Sequence, residues 1–143
     1  MTYPRWAWSS TFLLAVAGLG ISIYLSIEHA TGSKSLACPD TGIFNCHLVT
    51  TSKYSTFAGI PVAYLGLSFF VAAVVLFSPW AWNATLRGVR LAAVLMGLGM
   101  VLYLVWAELY RIHGICLWCT SVHVITVLLF AITALAEAGG PTT

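Results

Sequence analysis

The residues of this chain best suited to chemistry are its four cysteines, which fall into two pairs. Cys116 and Cys119 form a Cys-x-x-Cys pair within Ile115-Cys116-Leu117-Trp118-Cys119-Thr120, where the chain re-enters an apolar stretch. Cys38 and Cys46 lie in the longest polar segment. On a helix, positions i and i+3 share a face, with Cβ atoms about 5–6 Å apart, so modest rotation reaches disulfide range. A helix N-terminus adds free N–H groups and a positive dipole end. Both stabilise a thiolate, the form that attacks disulfides and quinones. Two thiols in a loop and two at the mouth of an apolar helix suit an electron relay from a soluble dithiol to an acceptor dissolved in lipid. Exchange between the pairs runs through mixed disulfides and needs a mobile loop. Cys119 lies about one turn deeper than Cys116, so it is expected to face a quinone while Cys116 exchanges with the loop. Cys46 is expected to be the inner shuttle, and Cys38 to meet the partner.

Other uses of four cysteines fit less well. Haem attachment requires His where Thr120 stands. A structural zinc site brings two closely spaced pairs, and Cys38 and Cys46 are too far apart for that. No metal site is expected. Structural disulfides alone give no reason for a cysteine pair at a lipid boundary.

The positioning elements follow from composition. The 143 residues are 60% hydrophobic and 7% charged, with a mean hydropathy of +0.95. A soluble domain carries about 25% charged residues, so the solvent here is lipid. The net charge of +2 comes from scattered Lys and Arg with no basic run, which excludes a nucleic-acid surface. Four stretches are expected to span the bilayer, at residues 6–27, 57–77, 89–110 and 115–136. The apolar stretch from Trp6 has no clean cleavage site after it and reads as a retained helix. The expected architecture is all-α: one integral membrane four-helix bundle over residues 1–143, with a cysteine-bearing loop at 28–56. Residues 46–56 are expected to hold a short helix on the membrane surface. Tyr3, Trp6, Trp8, Trp80, Trp82, Trp106, Tyr110 and Trp118 read as interfacial anchors. Gly18 with Ser22, and Gly97 with Gly99, read as close-packing positions.

Helix parity puts the 28–56 loop and the 111–114 turn on one side of the membrane. All four cysteines therefore face one compartment. Arg5, Arg87 and Arg90 on one side balance Lys34, Lys53 and Arg111 on the other, so charge does not orient the chain. Disulfides persist outside the cytoplasm, which places the cysteines extracytoplasmic and the termini cytoplasmic.

With these elements in place, the chain resembles the vitamin K epoxide reductase family in its prokaryotic form. The resemblance rests on Cys38-x7-Cys46, on Ser52 six residues later, on Phe57-Ala58-Gly59-Ile60-Pro61-Val62-Ala63, and on Cys116-x-x-Cys119. It runs from about Trp6 to Ala136. It implies a four-helix bundle around a quinone (ubiquinone, menaquinone or vitamin K type) in a prokaryotic inner or plasma membrane. It implies electron flow from a thioredoxin-like protein to Cys38 and Cys46, then to Cys116, and through Cys119 to quinone. Prokaryotic members make disulfides for secreted proteins; animal members reduce vitamin K and its epoxide. Many prokaryotic members carry a fused thioredoxin-like domain. This sequence stops at Thr143, which implies a separate extracytoplasmic partner. Vertebrate members place Tyr where His123 stands and Asn near Ser55, both as hydrogen-bonding positions for quinone carbonyls, so quinone reduction is the firmer expectation and epoxide reduction the weaker. A DsbB-type quinone reductase is the alternative within the same chemistry, but its Cys-x-x-Cys opens a helix early in the chain. A non-enzymatic tetraspan scaffold or metal-binding protein is the alternative outside it.

Around the cysteines, Ser52, Ser55, Phe57, Tyr64 and His123 are the candidate quinone-binding residues. His123 is i+4 from Cys119 and shares its face, and an ionisable group inside a span carries a functional reading. For Phe57 and Tyr64 core packing is the plainer reading, and for Ser52 a backbone-bonding role. Glu108 and Arg111, three apart at a helix end, read as an interfacial ion pair rather than a proton relay, and His113 as solvated rather than an aid to Cys116 ionisation.

Overall fold

The computed structural model describes residues 3–31, 44 and 46–141. The protein is mostly helical. Helix α1 runs over Arg5–Thr31, a short α2 over Cys46–Thr51, α3 over Val62–Leu76, α4 over Arg87–Trp106 and α5 over Leu117–Gly139. Helix α1 packs against α3 and α5, and α4 packs against α5. Cys38 lies outside the described residues, with the rest of 32–43 and residue 45 of the 28–56 loop.

Among the described residues three helical stretches are long and apolar enough to cross a membrane: Arg5–Thr31, Ala84–Ile112 and Leu117–Gly139. The second expected span is shorter than its apolar run. Helix α3 has 15 residues and reaches about 22 Å, less than the hydrocarbon core of about 30 Å. It starts at Val62 and not at Phe57 because residues 56–61 fold into a hairpin. Strand β1 (Thr56–Phe57) pairs antiparallel with β2 (Ile60–Pro61). Its two turn residues, Ala58 and Gly59, have φ of 53° and 83°, the positive pair that a two-residue hairpin turn requires. Pro61 then enters α3 where its missing N–H costs nothing.

Helix α1 buries small and polar side chains and turns large apolar ones outward. The buried stripe of α1 is Ala7, Thr11, Ala15, Gly18, Ser22 and Ser26, while Leu13, Val16, Ile23 and Ile27 are exposed. In lipid the outward face gains nothing by hiding, and small residues let backbones approach. A Cβ on Gly18 would overlap the Phe70 ring, and one on Gly97 would come 2.8 Å from Phe69, whereas Gly99 faces open space. Gly18, Ser22 and Gly97 thus serve close packing, and Gly99 does not.

At the end remote from the Cys-x-x-Cys pair, an ion cluster closes the structure. Arg90 is fully buried. Its Nε donates to Glu137 Oε1 at 2.7 Å, and its guanidinium also donates to the carbonyls of Ala81 and Asn83. Tyr3 donates its hydroxyl to Glu137 Oε2 at 2.8 Å. Trp82 lies under the guanidinium, 4.4 Å from ring centroid to Cζ. Tyr3 and Trp82 are therefore buried cluster members and not interfacial anchors, in contrast to Trp80, which is 85% exposed. A buried guanidinium in lipid needs every N–H directed to an acceptor, and aromatic faces add to its stabilisation.

Candidate active site

The Cys-x-x-Cys pair is held by an unusual approach to α5. Helix α4 widens into a π-helical turn at Ala107–Ile112. The turn ends at His113, an exposed residue in the left-handed region with φ 56°. The carbonyl of Glu108 accepts the N–H groups of His113 and Gly114. Cys116 is then the N-cap of α5, and its Sγ accepts the N–H of Cys119 at 3.4 Å. A sulfur at this position does what a Ser or Asp oxygen does at other helix starts, taking an otherwise orphaned N–H.

Cys116 is fully buried and Cys119 half-buried. The Cys116 thiol is held below its ordinary value, first by the hydrogen bond with the Cys119 thiol. The N–H groups of Cys119 and Trp118 act in the same direction, and burial opposes them. A thiolate at Cys116 therefore persists to lower pH than at a free cysteine, whose pKa is about 8.5. Replacing Cys119 with Ala removes the largest of these causes. The thiolate absorbance of Cys116, read against the Cys116→Ala/Cys119→Ala double variant, should then titrate at higher pH than in a Cys119-containing protein. An unchanged midpoint would exclude the Cys119 hydrogen bond as its cause.

The loop returns to this point. Phe44 pairs with Ile115 in a parallel bridge, which brings the chain two residues before Cys46 beside the residue before Cys116. Cys46 opens α2; its side chain lies outside the described residues. Val49 of α2 packs on Cys116, with Ile112, Trp118 and Cys119 around them. Gly114 permits this approach: a Cβ there would sit 3.3 Å from Leu48 and 3.7 Å from Val49.

Beneath the pair lies a cavity of about 900 Å³. Its wall includes Phe69 and Phe70 from α3 and Met96 and Met100 from α4. Cys119 and His123 reach it from α5; Cys116 does not. Ser52 and Ser55 reach it from the segment after α2. Both serines spend their hydroxyl hydrogens on backbone carbonyls, Ser52 on Val49 at 2.9 Å and Ser55 on Ser52 at 2.6 Å, so they shape the turn and present lone pairs. Phe57 and Tyr64 stand apart from the cavity. Phe57 packs edge-on to Tyr103 and Tyr64 edge-on to His29, and both are exposed. The hairpin is the reason for Phe57, because it lifts that residue off the helix that would have aimed it inward.

Residues 10–134 match the family model of the vitamin K epoxide reductase family. The chain belongs to that family. Membership makes it an integral membrane oxidoreductase of a class that is in general quinone-linked and thiol-using. In this member of the vitamin K epoxide reductase family the cavity suits such an acceptor: mostly apolar in surface, near the upper end of the usual ligand-pocket range of about 300–1,000 Å³, with Cys119 and His123 on its wall.

The sequence reading also misplaced Glu108. Glu108 does not pair with Arg111. Arg111 donates to the Tyr54 hydroxyl at 2.7 Å and lies against the Tyr54 and Trp106 rings. Glu108 is instead buried on the cavity wall, where its carboxyl takes the backbone N–H of Cys116. The signal was present. Arg90, Val94, Gly97, Val101 and Glu108 form one stripe, and eighteen residues from Arg90 to Glu108 are five turns of about 3.6 residues.

Proposed function

We propose that the protein is a four-helix membrane thiol:quinone oxidoreductase that oxidises a thioredoxin-like partner outside the cytoplasm and reduces a quinone within the bilayer. Cys38 takes electrons from the partner, Cys46 hands them to Cys116, and Cys119 delivers them to the quinone. One observation carries this reading: Cys119 lies on the wall of a large apolar cavity while its neighbour Cys116 is packed against the helix that Cys46 opens. A quinone accepts two electrons and two protons, which is what a dithiol releases when its S–S bond forms. His123 offers a nitrogen to the ring oxygens, with Ser52 and Ser55 bordering the site. The termini then lie in the cytoplasm, and helix α3 with its hairpin completes the fourth crossing.

Replacing Cys38 with Ser tests the order of the relay. Oxidation of a thioredoxin-like protein should fall to background, while oxidation of dithiothreitol, a small dithiol that can reach Cys46 or Cys116 directly, continues. Equal loss of both activities would place Cys38 nearer the quinone and overturn the order.

A further inference from the structure

Glu108 has no part in the relay described above, yet it is a carboxyl buried within a membrane-spanning stretch. Such a group is costly there and is retained where it acts. Its contact with the Cys116 N–H could be made by a neutral amide at lower desolvation cost. It lies on the same cavity wall as Cys119 and His123. The π-helical turn that carries it is a rare distortion, frequent at functional sites. Arg111, the cation that would have neutralised it, is committed to Tyr54.

We propose that Glu108 moves protons between the Cys116–Cys119 dithiol and the quinone. This rests on the thiol:quinone reading and deepens it. As the S–S bond forms, the dithiol gives up two electrons and two protons, and the quinone takes up both to become the hydroquinone. The Glu108 carboxylate accepts one thiol proton and passes it to a ring oxygen, ending unchanged. The other proton passes from the second thiol to the second oxygen. The other titratable groups facing this space from α5 are Cys119 and His123, with Cys116 beside Cys119 but off the cavity wall. Glu28 and His29 of α1 border the cavity, as do Lys53 and Tyr54 below α2.

Glu108→Gln separates proton transfer from support, because the amide oxygen still accepts the Cys116 N–H but carries no proton. In the full chain in detergent, with dithiothreitol and a short-chain quinone, kcat should fall about 10²-fold, the usual worth of a positioned acid–base group, with the quinone KM little changed. A base works deprotonated, so the wild-type rate should rise with pH through the Glu108 ionisation; the variant should lose that rise and keep those of the thiols. Glu108→Asp retains a carboxyl and should recover part of kcat and the lost rise. Wild-type kcat in Glu108→Gln would overturn the proposal. So would Gln and Asp variants equally inactive, since that outcome means support alone. An inert wild type would instead remove the thiol:quinone reading, and this inference with it.

Discussion

Cys119→Ser is expected to lower thiol-to-quinone turnover by about 10³-fold or more, the scale on which loss of a covalent participant acts. The expectation follows from an asymmetry within the pair. Cys119 borders the cavity and Cys116 does not. Cys116 is enclosed by Val49, Ile112 and Trp118 on the loop side, and its thiolate is the favoured one. With Cys119 gone, Cys116 retains its capping position and can still exchange with the loop. Mixed disulfides should therefore accumulate, visible as a mobility shift that reductant reverses. The serine hydroxyl preserves volume and polarity but forms no disulfide. Undiminished turnover would mean that electrons leave from Cys116, and the assignment of the two sulfurs would reverse.

Glu137→Ala is expected to cost about 3–5 kcal/mol of stability, the scale for removing one partner of a buried ion pair. Arg90 is fully enclosed, and Glu137 takes its Nε and terminal nitrogen at 2.7 and 2.5 Å. Glu137 also anchors Tyr3 and lies 3.6 Å from Arg87. Without Glu137 the guanidinium keeps the Ala81 and Asn83 carbonyls and the Trp82 and Tyr3 rings, but no counter-charge. Replacing both charges with apolar residues, Arg90→Met with Glu137→Leu, should be much milder, because no lone charge remains to be desolvated. Thermal unfolding in detergent compares the two. A single variant no less stable than the double would show that the cluster is not coupled.

Much of the site was legible because it depends on local sequence. The Cys-x-x-Cys pair opening the last span follows from its position before an uninterrupted apolar run, and the stripe of small residues on α1 follows from spacing. The features that escaped depend on neighbours distant in the chain or on backbone detail. Arg90 and Glu137 are 47 positions apart, and nothing near either one announces the other. Arg90 at the start of a span looks like an interfacial cation until Glu137, Ala81, Asn83 and Trp82 close around it. The hairpin before α3 turns on a left-handed alanine followed by glycine, inside an apolar run whose hydropathy is that of a helix. Glu108 and Arg111 have helical spacing for an ion pair. The π-helical turn and Tyr54, from another part of the chain, separate them.

The most direct test is the yield of hydroquinone from the fully reduced protein, mixed anaerobically with excess short-chain quinone and no added thiol. If the loop pair feeds the Cys116–Cys119 pair, the wild type should form about two hydroquinones per chain and the Cys38→Ser/Cys46→Ser variant about one, since each dithiol yields one electron pair. Equal yields from the two proteins would contradict the relay and leave the loop cysteines outside the path of electrons.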